Sequence, residues 1–294
     1  MRPLTALLKN IATVISLCTL TGCVAVPPDT TIASRHNGDS TARHRAEECA
    51  PAPTVAVQGN PGPDSASASD RTFSLLSWNI YKAQRPGWEI DLRRFADGKD
   101  LVLLQEAISD VKFLDTLNGS GIGWEMVHAF QINDTTAGVL TGARIAPAGS
   151  CGLRVAEPVI RLPKSVLVSR FPISGSAQPL VVANLHGINS GFDGYRRQLA
   201  RLREVLAGHT GPLLVVGDFN TWSAAREKVV ADFAVSLGLR QANLRRQPSR
   251  FFGRVIDHIF YRGLEMLDSG AVPVTSSDHD PLMATFRLAR GNPP

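Results

Sequence analysis

Six segments of this chain set a residue able to bind a cation or move a proton at the edge of an apolar run, and that repetition limits the folds open to it. They are Ser74-Leu75-Leu76-Ser77-Trp78-Asn79, Leu101-Val102-Leu103-Leu104-Gln105-Glu106, Val181-Val182-Ala183-Asn184-Leu185-His186, Val215-Val216-Gly217-Asp218-Phe219-Asn220, Ile256-Asp257-His258-Ile259-Phe260 and Ser276-Ser277-Asp278-His279-Asp280-Pro281. Short apolar runs between turn signals read as buried strands. Independent turns have no reason to share these residue types. Strands in layered sheets do, because their polar ends converge on one rim, where ligand sites form.

Strands are expected at Phe73–Ile80, Leu101–Gln105, Gly138–Thr141, Ser165–Ser169, Leu180–His186, Leu213–Gly217, Ile256–Tyr261 and Leu282–Leu288. Helices are expected at Tyr195–Ala207, where Leu199, Leu202 and Leu206 share a face, and at Ala224–Leu237. The order lacks the regular βαβ alternation of a doubly wound fold. Aromatic residues make up 6% of the chain against 44% hydrophobic, so the core is mostly aliphatic, which suits a sheet packed on helices or on a second sheet. A Walker-type loop, Cys/His zinc spacing and a Gly-x-Ser-x-Gly elbow are all missing from the sequence.

The first residues do not read as part of the fold. Arg2 and Lys9 flank the start of an apolar run, Ile11 to Leu20, too short to span a bilayer. It ends in Leu20-Thr21-Gly22-Cys23, which resembles the lipobox of bacterial lipoproteins. That resemblance implies a signal peptide over 1–22, cleavage before Cys23 and diacylglycerol on its sulfur. The protein would then sit in the bacterial cell envelope, facing the periplasm. Val24 in the next position resembles an outer-membrane address. A plain secretory signal, giving a secreted protein, or an uncleaved anchor is the alternative.

Over 23–70 Pro, Ala, Ser, Thr and Asp dominate, as in Gly59-Asn60-Pro61-Gly62-Pro63 and Ser65-Ala66-Ser67-Ala68-Ser69. Such a segment buries too little apolar area to offset its ordering entropy and is expected to be a flexible tether. The folded domain is expected over 71–290. Cys18 leaves with the signal and Cys23 is lipidated. Cys49 and Cys151 remain, as one disulfide in an oxidising compartment or as two free thiols. The formal net charge of +5 is a weak pointer to an anionic ligand.

Taken in order, Trp78-Asn79, Leu104-Gln105-Glu106, Asn184-Leu185-His186, Gly217-Asp218-Phe219-Asn220, Ile256-Asp257 and Ser277-Asp278-His279-Asp280-Pro281 resemble the endonuclease/exonuclease/phosphatase superfamily. That group includes DNase I-like nucleases, abasic-site endonucleases, neutral sphingomyelinases and inositol-phosphate phosphatases. Trp78-Asn79-Ile80-Tyr81-Lys82, Glu157 to Ser165, Phe252-Gly253-Arg254 and Phe260 to Leu264 resemble a YafD-like bacterial branch of it. The resemblance covers about Arg71 to Leu288. It implies a DNase I-like α/β fold, a four-layer α/β/β/α sandwich of two mixed sheets, and a divalent ion, Mg2+ or else Mn2+.

By motif, Asn79 and Glu106 would hold or adjoin the metal, since a hard cation prefers carboxylate oxygen. Asp218 would orient or deprotonate the attacking water and Asn220 would bind a phosphoryl oxygen. Asp278 would hold one tautomer of His279. His186 would donate a proton or hydrogen bond to the phosphate, and Asp257 would support His279 or the phosphate site. Attack on a phosphodiester adds negative charge to oxygens already charged, and a metal with an imidazolium offsets it. Whether Asp218 or His279 takes the proton stays open at this level.

Some members carry an acidic residue two positions after the first Asn. Tyr81 stands there, which implies one metal rather than two. His186 matches DNase- and sphingomyelinase-like members, whereas abasic-site endonucleases have Tyr. DNase-like members pair that His with an upstream Glu, for which Glu125 and Glu157 are candidates; each otherwise reads as a surface acid. His258 follows Asp257 along an extended strand, so it turns to the opposite face and reads as structural. Asp280 reads as turn support. Arg196, Arg197, Arg201 and Arg203 read as a solvated helix face. In the second basic stretch, Arg245, Arg246, Arg250 and Arg254, Arg254 is best placed to touch substrate. Trp88, Trp124 and Trp222 read as core or rim packing, with base stacking as the sharper alternative.

The expected protein is an exported, lipid-tethered, metal-dependent hydrolase of phosphate esters, nuclease-like by its His186, net charge and Arg-rich flanks. A phospholipid or sphingomyelin headgroup, or a small phosphate ester, is the alternative substrate. Nothing calls for a protein partner, and a monomer is expected. The rival from another class is a noncatalytic binding lipoprotein that keeps the fold, although a pure binder has no use for Glu106 together with the Asp278-His279 pair.

Overall fold

Runs rich in Val, Leu and Ile become strands, and the amphipathic stretches become helices, in a computed structural model that describes residues 24–36, 41–46, 49, 72–158, 161–174, 176 and 178–289. In chain order the elements are β1 (Val24–Ala25), β2 (Thr31–Arg35), β3 (Ala42–Arg45), β4 (Thr72–Asn79), α1 (Trp88–Ala96), β5 (Leu101–Ile108), α2 (Val111–Asn118), β6 (Gly123–Ile132), β7 (Thr135–Ala143), β8 (Gly149–Ala156), β9 (Pro163–Phe171), β10 (Leu180–His186), α3 (Phe192–Leu206), β11 (Leu213–Asp218), α4 (Ala224–Ser236), β12 (Arg240–Gln241), β13 (Asp257–Arg262), β14 (Leu264–Ala271) and β15 (Leu282–Leu288).

Among the described residues two mixed sheets result. The larger has nine strands, ordered β14-β15-β4-β5-β7-β6-β2-β3, with β1 also paired to β6. The smaller has six, ordered β12-β13-β11-β10-β9-β8. Each contains one parallel pair, β4 with β5 and β10 with β11.

Alternation along each strand sorts side chains between two faces. Leu75, Leu101, Leu103, Val182, Leu214, Val216, Ile259 and Leu282 fill the layer between the sheets. The outer face of the larger sheet packs Leu76, Val102 and Leu104 against Leu92 and Phe95 of α1 and Phe113 and Leu117 of α2. The smaller sheet turns Val166, Val181 and Val215 toward Leu199 and Leu202 of α3 and Val230 and Phe233 of α4. The architecture is therefore the expected four-layer α/β/β/α sandwich. Each fully buried aliphatic side chain contributes roughly 1.5–3 kcal/mol, so these layers outweigh surface ion pairs, which are worth about 0–1 kcal/mol each. Within the middle layer a polar bridge crosses between the sheets. Gln105 Nε2 donates to Asn184 Oδ1 at 2.8 Å, and Asn184 Nδ2 donates to the Leu140 carbonyl at 2.9 Å. Dry surroundings strengthen such a bridge and penalise any slippage that would break it.

The expectation of a flexible tether over 23–70 is corrected for its first half. Strands β1 and β2 both pair with β6, and β3 pairs with β2. Ile32 is fully buried against Val127, Val139 and Leu167. Cys49 is buried and disulfide-bonded to Cys151, with a Cα–Cα distance of 5.1 Å. Composition averaged over the segment hides this, because an open strand edge supplies backbone hydrogen bonds that need few apolar side chains. The leader, Cys23 and residues 50–71 lie outside the described residues.

Elements α1, α2, β6, β8 and β14 were not among those expected. α2 is only eight residues long and is announced by its cap, the Asp110 carboxylate accepting from the Lys112 and Phe113 amides. Strand β14 alternates weakly and is placed by its pairing with β15. No described helix is long and apolar enough to cross a membrane.

The disulfide closes a sequence separation of 102 residues. Replacing Cys49 and Cys151 with Ser is expected to lower stability by about 2–5 kcal/mol, read as a lower urea midpoint. Dithiothreitol should reproduce that shift in the wild type and leave the double variant unmoved.

Candidate active site

The inward-facing side chains of five strands run out to one rim. Ser77 and Asn79 follow Leu75 on β4, Asn184 and His186 follow Val182 on β10, and Asp218 follows Val216 on β11. Asp257 opens β13 ahead of Ile259, and Gln105 follows Leu103 on β5. Pairing then sets neighbours: His186 lies opposite Asp218 across the parallel β10–β11 pair, and Asp218 opposite Asp257 across the antiparallel β11–β13 pair.

Glu106 arrives by breaking the alternation. The β5–β7 register shifts between Leu104 and Ala107, and Glu106 adopts a φ of 53°. The bulge re-aims its carboxylate toward the rim. Asn220 has a φ of 50°. A left-handed backbone costs a non-glycine residue about 1–2 kcal/mol, so both positions are held by their surroundings. Gly217, just before Asp218, has a φ of 139°, and a Cβ there would lie 2.1 Å from the Leu185 carbonyl oxygen. No side chain fits at this position.

A row of acid–base groups follows. His279 Nδ1 donates to Asp257 Oδ2 at 2.8 Å, and its Nε2 lies 3.9 Å from Asp218 Oδ2. Asp218 Oδ2 accepts from Asn79 Nδ2 at 3.1 Å, and Oδ1 accepts from the Asn220 amide at 2.8 Å. The backbone of His279 is fixed as well: Trp78 Nε1 donates to its carbonyl at 2.9 Å, and its amide donates to Ser277 Oγ at 3.2 Å. Burial opposes a charged His279, but the Asp257 and Asp218 carboxylates outweigh burial and raise its pKa to about 10. Burial and the nearby Asp257 push Asp218 above the usual carboxylate range, against the pull of His279 and the Asn220 amide. A carboxylate displaced upward is a better proton acceptor near neutral pH.

Across from that row stands Glu106 between two lysines. Lys82 Nζ pairs with Oε2, and Lys164 Nζ lies 3.7 Å from Oε1. Burial would raise its pKa, but the ammonium groups of Lys82 and Lys164 hold it well below the usual carboxylate range. Lys164 Nζ also lies 2.9 Å from His186 Nε2. An ammonium can only donate, so His186 Nε2 accepts and the ring is neutral. Burial and Lys164, working against Glu106, push its pKa down in agreement.

A family model described as the Endonuclease/Exonuclease/phosphatase family matches residues 76–279. The chain belongs to this family. A UPF0294 protein of Klebsiella pneumoniae (strain 342) is 37% identical over 222 residues, covering 74% of this chain and 83% of that protein. A UPF0294 protein of Vibrio vulnificus (strain YJ016) is 41% identical over 220 residues, covering 74% and 77%. These are relatives in the YafD-like branch. Among solved structures, the endonuclease/exonuclease/phosphatase from Bacteroides vulgatus superposes with a TM-score of 0.58 at 17% identity, covering 74% of this chain and all of that one. The human Nocturnin catalytic domain with bound sulfate anion gives 0.56 at 19% identity, covering 74% and 95%. Likeness at such identities concerns the fold.

Of the residues that the family motifs single out, the structure gathers Asn79, Glu106, His186, Asp218, Asn220, Asp257 and His279 at one rim. Asp278 is the exception. Its side chain is exposed, with Oδ1 3.4 Å from Ser277 Oγ, and the tautomer of His279 is set by Asp257. Adjacent residues diverge along a chain, so the partner comes from another strand. The His186 Nε2 atom accepts from Lys164. Asn220 Nδ2 donates to the Gly187 carbonyl at 2.9 Å and approaches Asp218 Oδ2 at 3.4 Å, so its amide hydrogens support the site.

Neither Glu125 nor Glu157 pairs with His186, and neither is a surface acid. Glu157 is buried and accepts from the Asn189 amide and Ser190 Oγ, while Glu125 faces His36. His258 is structural as expected, hydrogen-bonded to Thr221 and Gln241 away from the row. Asp280 accepts from Ser249 and the Val274 amide. Arg254 pairs with Glu227 and lines a cleft of about 650 Å³ that Asp257 also borders. Trp88 and Trp124 are core residues, and Trp222 sits half-buried over Arg226.

Lys82, Lys164, Trp78, Ser277 and Arg226 were missed. Lys164 carried a readable signal, a lysine two residues ahead of the apolar run Val166-Leu167-Val168. Arg226 did not: it is buried and donates to the Ile188, Asn189 and Asn220 carbonyls, contacts that depend on how loops meet.

Two donor sets could interest a divalent ion. Asp218, Asp257 and His279 offer ligand atoms within 4.8 Å of one another, but those atoms are largely engaged with each other. Glu106 and the Asn79 Oδ1 atom, which accepts from the Tyr81 amide at 3.1 Å and keeps a second lone pair, are hard oxygen donors of the type Mg2+ takes, with water and phosphate completing its shell. They fit such an ion if the Lys82 ammonium yields its place on Glu106.

The divergence between Asp257 and Asp278 is testable. Asp257→Asn is expected to lower phosphodiester turnover by roughly 10²–10⁴-fold, and Asp278→Asn by less than about tenfold. Because the folded pKa of His279 is raised, its stabilising contribution is complete below its unfolded value near 6.5 and is lost as pH rises through about 10. NMR titration should show the His279 pKa falling in Asp257→Asn.

Proposed function

We propose that this chain is a divalent-metal-dependent phosphodiesterase with nuclease-like activity. The observation that carries the reading is the Asp257–His279–Asp218 row with Glu106 on the other side of His186, whose Nε2 lies 3.6 Å from Asp218 Oδ2 and 3.7 Å from Glu106 Oε1. A base, a cation and a hard-metal carboxylate around one gap are what in-line displacement at phosphorus requires. In this scheme Asp218 takes a proton from the attacking water as its oxygen bonds to phosphorus. His279, kept cationic by Asp257, offers Nε2–H to the phosphoryl group as negative charge accumulates; the ester P–O bond breaks with its electron pair on the leaving oxygen, which takes a proton from solvent. Asn79 and Asn220 hold Asp218 in line. Mg2+ or Mn2+ on Glu106 and Asn79 would withdraw charge from the phosphoryl oxygens.

A nucleic-acid-like polyanion is supported by the net charge of +5, which becomes +3 once Arg2 and Lys9 leave with the signal, and by exposed Arg196, Arg197 and Arg203 on α3. We further infer that the enzyme is monomeric and tethered to the cell envelope, facing the periplasm, through a lipid on Cys23.

Hydrolysis of bis-p-nitrophenyl phosphate tests the chemistry. Turnover is expected with Mg2+ or Mn2+ and not in EDTA. Glu106→Gln and His279→Ala should each lose on the order of 10²-fold or more, while His258→Ala retains turnover. Folded protein inactive with both ions would sink the reading. Plasmid DNA, RNA and sphingomyelin as competing substrates then decide the ester. Palmitate labelling should be present in the wild type and absent in Cys23→Ser; equal labelling in both would remove the anchor.

A further inference from the structure

Lys82 and Lys164 have no part in the scheme above, yet both reach its centre. Their side chains are 25% and 17% exposed. Removing an ammonium from water costs several kcal/mol unless anions compensate it. Among the described residues, Glu106 is the carboxylate within 4 Å of either ammonium, so one carboxylate serves two cations. The neighbour of Lys164 on its other side is neutral His186.

Donor counting shows spare hydrogen-bonding capacity beside the charge. An ammonium has three N–H donors. Lys164 uses one on His186 Nε2, and Glu106 Oε1 at 3.7 Å lies beyond hydrogen-bond reach, which leaves two. His186 Nε2 in turn lies 3.6 Å from Asp218 Oδ2, so the Lys164 ammonium stands one imidazole away from the gap where the scheme places phosphorus. Lys82 is brought to Glu106 by a costly backbone: Tyr81, Lys82 and Ala83 are all left-handed, with φ of 51°, 52° and 55°. This turn is closed by the Ala83 amide on the Ile80 carbonyl at 3.0 Å.

We propose that Lys164 contacts a non-bridging phosphoryl oxygen directly, and that Lys82, by neutralising Glu106, lets the site hold a phosphate group without a divalent ion. The proposal rests on the phosphoesterase reading and extends it to a cation that the protein itself supplies. Compact ammonium charges suit phosphate oxygens, and a fixed charge needs no reorganisation when the anion arrives.

Binding, not turnover, tests it. The full chain is stripped of metal with EDTA and titrated with inorganic phosphate by calorimetry and ³¹P NMR, with melting curves checking the fold of each variant. The wild type is expected to bind phosphate in EDTA. Lys164→Met should weaken binding by about tenfold to a hundredfold, the worth of one charge-assisted hydrogen bond. Lys164→Arg, which keeps the charge, should stay within about threefold of the wild type. Lys112→Met, on the surface beside Trp88, should change nothing. If Lys164→Met fails to fold, Lys164→Gln carries the same expectation. Equal affinity in wild type and the uncharged variant, or wild-type binding that appears only with Mg2+ or Mn2+, overturns the proposal. An enzyme that hydrolyses diesters yet fails this test loses the lysine contact and keeps the proposed function; one that binds phosphate but hydrolyses nothing does the reverse.

Discussion

The face-to-face burial of two twisted sheets is the constraint on which everything at the rim depends. Once Leu75, Leu103, Val182, Val216 and Ile259 share a dry layer, the next inward-facing positions along the same strands must emerge together at its edge. The polar residues there do not have to find one another; the strands deliver them. The Gln105–Asn184 bridge, one residue pair inside the edge, ties the strand ends across the layer. Its position explains why a buried amide pair is tolerated where aliphatic residues would pack with less risk.

Much of this was legible in the sequence because strand alternation and the end of an apolar run are local signals. The limits of β10 and β15 match the expected ones, and those of β4, β5, β11 and β13 lie within a few residues. What was not legible has a common cause. The strands over 24–45 exist because β6 offers an edge, and α2 depends on one cap more than on its composition. Glu106 faces the site through a bulge that no periodicity announces. The pairing of Cys49 with Cys151 needed two distant segments to be brought within 5.1 Å.

The site shows the same division. Which residues gather was readable; which of them touch was not. Asp278 is the nearest acid to His279 along the chain, and Asp257 is its partner in space. Motif order carries identity without direction, whereas a hydrogen bond needs direction. The lysines make the point from the other side. Tyr81 in place of an acid reads as a loss of metal-binding capacity, but the same three-residue turn brings in Lys82, so the local charge is exchanged for one of opposite sign.

The position of β15 carries a consequence for how the molecule is made. It is the last strand in sequence, yet it lies between β14 and β4, with Leu282 paired to Ser77. A chain emerging in order therefore exposes the flank of β4 until some two hundred residues later, when its neighbour becomes available. Contacts of such long sequence separation are slow to form. The open flank is a sticky edge in the meantime. His279 stands immediately before that strand and is fixed to Trp78 at the start of the domain. The event that seals the sheet also completes the reactive centre, so a partly made molecule is vulnerable to aggregation and has no assembled chemistry to lose.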